Sequence, residues 1–211
     1  MEGLLARSGR EGERHYMDAP LRVERAFVSA QRDGCLPSDD VEAALELARH
    51  AGDPQLTLPT LTRASLAMAS LGRMEEATSL LDETLRVLSA IGSSYDLHSR
   101  WSLMGALVWC QLDRGPVPAA FLADDQTRWA SAAGLVARGE IVAAADLLEG
   151  IGAHTDAASA RVVALRALAS EDPQQAAIQL ELASAFYRGV DATAVLVELD
   201  ELRGCLRIAA S

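Results

Sequence analysis

The sequence predicts an all-α fold, built as an α-solenoid of antiparallel helix pairs. Three observations predict it. Aromatic residues make up 4% of the 211 residues while Ala and Leu dominate, which favours close-packed helices over the β-branched and aromatic residues that strands want. Almost no period-2 alternation survives a scan, whereas apolar residues recur at helical spacing. The stretch Leu61–Ile91 reads as helix, tight turn, helix, with stripes that one hairpin alone cannot bury.

Within that stretch Ala77, Leu80, Leu81, Leu85, Leu88 and Ile91 share one face of the second helix, with Glu75, Glu76, Asp82, Glu83 and Arg86 opposite. Leu61, Ala64, Ser65, Met68 and Leu71 stripe the first, and Gly72 stops it because glycine adopts positive φ freely. Gly72 at the turn, Ala77 five residues on, and Leu81 and Thr84 at packing positions resemble a tetratricopeptide unit. The usual Ala is replaced by Thr84 and the residue before the turn is small, so the repeat is TPR-like.

Taken in order, residues 1–16 are polar with two glycines and are expected as a partly ordered N-terminal segment. Residues 17–211 are expected as a single TPR-like repeat domain of about eight to ten helices. The first helix spans about Ala19–Arg32 and ends at Gly34. Ser38 or Asp39 caps the next, with Glu42 in capping-box register and Gly52 closing it. Asp53-Pro54 supplies a cap and a first-turn proline, while Pro59 either kinks this helix or marks its true start. After the central pair, Gly92-Ser93-Ser94 turns into a helix over Asp96–Leu112. Pro116–Leu122 then breaks the chain, dropping a pair member or shrinking it to a short turn. Asp124 caps a helix to Ala137, and Arg138-Gly139-Glu140 repeats the logic of Leu71-Gly72-Arg73. Gly139 follows Gly72 by 67 residues, close to twice the roughly 34-residue TPR period. Ile141–Gly150 is the partner helix, Thr155 opens a helix to Ala169, Asp172-Pro173 opens one to Arg188, and Asp191 starts the last.

The net charge of −11 and pI of about 4.8 argue against a nucleic-acid surface. All 19 basic residues are Arg; without Lys there is no P-loop, Schiff-base or kinase-type lysine. Cys35, Cys110 and Cys205 are isolated, so neither a disulfide framework nor zinc is implied. His15, His50, His98 and His154 show no ligand spacing. No metal, cofactor or catalytic group is expected. Without a signal peptide or a membrane-length apolar run, the expected location is cytoplasmic.

The one feature that suggests binding is a pair of Arg-Trp dipeptides, Arg100-Trp101 and Arg128-Trp129, each early in a helix, the two tryptophans 28 residues apart. In a TPR-like array such helices line the concave groove, where Arg grips carboxylates and Trp offers apolar area. The alternative is that Trp packs between repeats and its neighbouring Arg is solvated.

In the second half, Trp129, Gly139-Glu140, Ala144 to Leu148, Asp156 to Arg161 and Ala183 to Ala192 occur in an order that resembles the C-terminal helical region of bacterial, mostly actinobacterial, signalling proteins. Those attach TPR-like repeats to a STAND-type ATPase with an adenylate/guanylate cyclase or LuxR-type domain. The likeness covers about Asp124–Leu202. No cyclase aspartates, Walker motif or helix-turn-helix is present, so the resemblance implies only the regulatory helical part. What it implies is a non-enzymatic scaffold in a signalling or transcription-regulatory protein, engaging a protein or peptide partner or the remaining domains of a larger regulator. The alternative is a small-molecule sensor holding an apolar or anionic effector inside the stack. Neither direct nucleic-acid binding nor a membrane is expected; self-association into a homo-oligomer is, from the exposed apolar start.

Overall fold

The computed structural model describes residues 17–91, 100–122 and 127–209. Among these the protein is all-helical, with ten α-helices, one short 3-10 helix and no strand. The chain forms two compact units, Met1–Gln31 with Cys35–Leu97 and Arg32–Gly34 with His98–Ser211.

The first unit holds α1 (Asp18–Asp33), α2 (Ser38–Ala51), α3 (Pro54–Ser70) and α4 (Met74–Ile91). α3 is its centre: between Leu56 and Ala69 every residue but Pro59 is buried. Val23, Ala26, Phe27 and Ala30 of α1 are buried, as are Val41, Ala44, Leu45 and Ala48 of α2 and Ala77, Leu80, Leu81 and Thr84 of α4. The polar side chains of α3 tolerate burial because backbone carbonyls satisfy them. Thr60 Oγ1 donates to the Leu56 carbonyl (2.7 Å), Thr62 to Leu58 (2.8 Å) and Ser65 to Ala77 of α4 (2.7 Å). Arg63, 3% exposed, donates from Nε to Glu24 of α1 (2.6 Å) and lies over the Phe27 ring, 4.5 Å from its centroid.

Asp53 caps α3 by accepting the Gln55 N–H at 2.9 Å. α3 is continuous from Pro54 to Ser70, so Pro59 lies inside it and Pro54 is its true start. The start of α2 differs from the sequence expectation. Pro37 occupies the N-cap and no side chain caps the helix; the Pro37 carbonyl takes the Asp40 and Val41 N–H groups (3.1 and 3.2 Å). Ser38 is thereby drawn into the helix, and Asp39 contributes only a first-turn negative charge.

The second unit holds α5 (Arg100–Gln111), the 3-10 helix Ala119–Phe121, α6 (Arg128–Ala137), α7 (Ile141–Gly150), α8 (His154–Leu168), α9 (Pro173–Gly189) and α10 (Thr193–Ala209). From α5 onward each α-helix packs chiefly on its chain neighbours, and α5 also touches α8. α5 and α8 are buried on every side, over Trp101–Trp109 and Asp156–Leu165. Eight of the fourteen residues in the core that joins α5 to α8 are alanines, which lets the helices approach closely and leaves little room for voids. A second core joins α8, α9 and α10 through Leu165, Leu180, Tyr187 and Leu199.

The turn logic holds at Gly72 (φ +74°) and Gly139 (φ +79°). In both, the next residue's N–H closes back on a carbonyl of the preceding helix, Arg73 on Met68 (3.0 Å) and Glu140 on Leu135 (2.9 Å). The Pro116–Leu122 break is the 3-10 turn, whose Phe121 is fully buried against α5. Asp191 does not begin α10: it takes φ +53°, and the helix starts at Thr193. Residues 1–16, the Gly92–Ser94 turn, the start of the Asp96–Leu112 helix, the Asp124 cap, His15 and His98 lie outside the described residues. Among the described residues no helix is long and apolar enough to cross a membrane.

Candidate functional site

Of the four residues singled out in the sequence, two converge. Arg100 opens α5 and Trp129 lies in the first turn of α6, and both reach Asp156 in the first turn of α8. Arg100 Nε donates to Asp156 Oδ2 at 2.9 Å and Nη2 to Oδ1 at 3.1 Å, a two-pronged pairing, while Trp129 Nε1 is 3.4 Å from Oδ2. The Asp156 side chain is only 6% exposed. Helix ends position this cluster: Thr127 caps α6 by accepting the Ala130 N–H (3.2 Å), and the positive end of α8 favours a carboxylate at Asp156.

Trp101 and Arg128 are not brought to this point. Trp101 is buried, and its indole Nε1 has no hydrogen-bond partner among the described residues. Arg128 is exposed, and Trp129 packs half-buried against the core that joins α5 to α8. Arg100 is therefore engaged by an internal carboxylate. Asp156 drew notice in the sequence only as the start of the Asp156–Arg161 segment; its pairing with Arg100 carried no local signal, since it spans 56 residues of chain.

A second polar cluster sits deeper. Arg161 of α8, with a side chain 6% exposed, donates to Gln179 Oε1 of α9 (2.8 Å) and Asp146 Oδ1 of α7 (3.1 Å). His154 Nδ1 lies 2.8 Å from Glu149 Oε1. Among the described residues no group of three or more His, Cys, Asp or Glu side chains could hold a metal. Cys110 is half-buried against the core, and burial pushes its thiol above the usual range, away from the reactive thiolate.

Comparison with protein-family models, with curated proteins and with solved structures finds no match to the chain.

One candidate binding surface was not picked out in the sequence. A groove of about 600 Å³ runs between α9 and α10, lined by Pro173, Ala177, Leu180, Glu181, Arg203 and Leu206. Beside it on α9, Ile178 and Leu182 are 47% and 45% exposed. At 100° per residue Ile178, Leu182 and exposed Ala185 stand about 100°, 140° and 80° round α9 from Ala177, toward solvent, with Gln174 and Glu181 between them and the groove. In the first unit, a smaller groove of about 200 Å³ lies between α2 and α4, with Val41, Leu45 and Leu80 on its walls. The exposure of Ile178 and Leu182 follows from which side of α9 is covered by α8 and α10.

Proposed function

We propose that the chain is a non-enzymatic helical scaffold, a regulatory module of a signalling or transcription-regulatory protein, whose task is to hold a protein partner on α9 and α10. The observation that carries this reading is the apolar surface formed by Ile178, Leu182 and the adjoining groove. Two large aliphatic side chains one helical turn apart, nearly half exposed beside an apolar cleft, offer the kind of anchor positions that helical interfaces use. The tightly packed, alanine-rich core that joins α5 to α8 favours this over a sensor that encloses its ligand. Membership of a STAND-type regulator is the setting suggested by the second-half motifs.

The test is affinity capture from a cell extract with the wild-type chain and with an Ile178→Asp/Leu182→Asp variant, read by quantitative mass spectrometry. The reading expects a protein held by the wild type and lost at least tenfold with the variant. Equal recovery by both proteins would overturn it.

A further inference from the structure

We propose that the α9–α10 groove takes a basic amphipathic helix from its partner. This rests on the protein-binding reading above and specifies the chemistry of what is bound.

The floor and one wall of the groove are apolar: Pro173, Ala177 and Leu180 repeat along α9 at helical spacing, with Leu206 facing them from α10. A cleft between two helices whose contacts repeat every three to four residues matches the ridges of a third helix. The exposed pair Ile178 and Leu182 lies further round α9 toward solvent, past Gln174 and Glu181 on the groove's outer rim, so an incoming helix meets aliphatic side chains on both sides of a polar edge.

Charge sets the partner's other face. Among the described residues Arg203 is the only cation lining the groove, and it is spent on two carboxylates. Its Nη2 donates to Glu181 at 3.0 Å and its Nη1 to Asp200. Those carboxylates are 63% and 69% exposed, against 23% for the guanidinium. Glu171 and Asp172, both exposed, precede Pro173 at the far end of the groove. Among the described residues, Glu181 in the lining and Asp200, Glu171 and Asp172 near it, the last also capping α9 through the Gln175 N–H, outnumber the one arginine. The next cation along α9, Arg188, stands about 10 Å further on.

An apolar strip with an acidic border is complemented by a helix whose aliphatic stripe is flanked by Lys or Arg. A second copy is a poor fit: each chain carries −11, and two such borders would repel.

The test uses the full 211-residue chain and two fluorescently labelled helical peptides of about 18 residues. Both carry Leu at i, i+3, i+4 and i+7; one has Lys on the polar face and the other Glu. Anisotropy titrations are run at low and high salt, with sedimentation velocity on the free chain. The proposal expects saturable binding of the Lys peptide, at least tenfold weaker binding of the Glu peptide, and loss of the Lys peptide's affinity in Ile178→Asp/Leu182→Asp. Glu181→Gln/Asp200→Asn should weaken it about two- to fivefold per carboxylate and flatten its salt dependence. Circular dichroism confirms that each variant is folded. Equal binding of both peptides, no binding of either, or binding unaffected by the Ile178 and Leu182 changes would overturn it. So would a dimer of the free chain that the same changes dissolve. If neither peptide binds while capture from extract still depends on Ile178 and Leu182, the basic-helix inference falls and the scaffold reading stands. If capture is also indifferent to them, both fall.

Discussion

Arg100 and Asp156, from the first turns of α5 and α8, are joined by two hydrogen bonds of 2.9 and 3.1 Å, with the carboxylate buried and the guanidinium half in water. The asymmetry predicts unequal costs. Arg100→Ala leaves the buried carboxylate to the longer Trp129 hydrogen bond (3.4 Å) and should cost about 1–3 kcal/mol, whereas Asp156→Ala leaves a guanidinium that water can reach and an indole N–H that loses its acceptor, and should cost less. Denaturant unfolding of both single variants and the double variant checks this, with a favourable coupling between the two residues as the expected outcome. Independent, additive effects would show that the pair contributes nothing to the fold.

Gly105 is a packing requirement of α5. A Cβ there would stand 2.5 and 2.6 Å from two ring carbons of the fully buried Phe121. Ala normally gains about 1 kcal/mol over Gly inside a helix, but overpacking costs about 1–3 kcal/mol. Gly105→Ala should therefore lower stability, and adding Phe121→Leu should recover part of the loss. A more stable Gly105→Ala protein would refute the contact.

Arg161→Ala should cost about 1–3 kcal/mol, mainly because Gln179, 1% exposed, loses the donor to its amide oxygen. The Asp146 carboxylate is 63% exposed and is rehydrated when the cation leaves, so the larger penalty of a stranded buried ion does not arise. Thermal unfolding of Arg161→Ala beside Asp146→Ala compares the two contributions; Asp146→Ala leaves the buried Arg161 guanidinium with the Gln179 bond and Glu149 at 4.0 Å, and should also lower stability.

Between α2 and α4, hydrogen bonds from Arg49 at 2.8 and 2.6 Å hold the Glu83 carboxyl below its usual range of about 4.5. A carboxylate depressed in the folded state stabilises the protein above its unfolded pKa, and that contribution is lost as pH falls through the folded value. Because Arg49 is exposed, the effect should stay below about 1 kcal/mol. Glu83→Gln should reduce stability slightly at pH 7 and lessen the loss of stability on acidification below about pH 4.5. An unchanged pH profile would show that solvent screens the pair completely.

What was legible in the sequence was the chemistry of short-range elements. Asp53-Pro54 and Asp172-Pro173 both open helices with a side-chain cap, and Gly72 and Gly139 both take positive φ at their turns. These features depend on neighbours within a few residues. The burial of α3 on all sides was hidden, since Thr57, Thr60, Thr62 and Ser65 lower its apparent hydrophobicity while their hydroxyls are bonded to backbone carbonyls. Arg100 and Trp129 stood out, and Asp156 did so only as the start of the Asp156–Arg161 segment; that it is their common partner was not legible, because that meeting is made by tertiary packing. Ile178 and Leu182 were illegible for the opposite reason: an aliphatic residue at helical spacing carries no mark that says which side of its helix stays uncovered.

The central claim is that Ile178 and Leu182 are kept for a partner and do not hold the fold together. The most direct measurement is the melting temperature and sedimentation of the free Ile178→Asp/Leu182→Asp protein. Surface changes cost within about 0.5 kcal/mol each, which for two of them in a chain of this length is about 4 °C or less. The account predicts a melting temperature within that margin of the wild type, with an unchanged sedimentation coefficient. A fall of more than about 5 °C, or a change in oligomeric state, would place both residues in the structural core or a self-interface and contradict it.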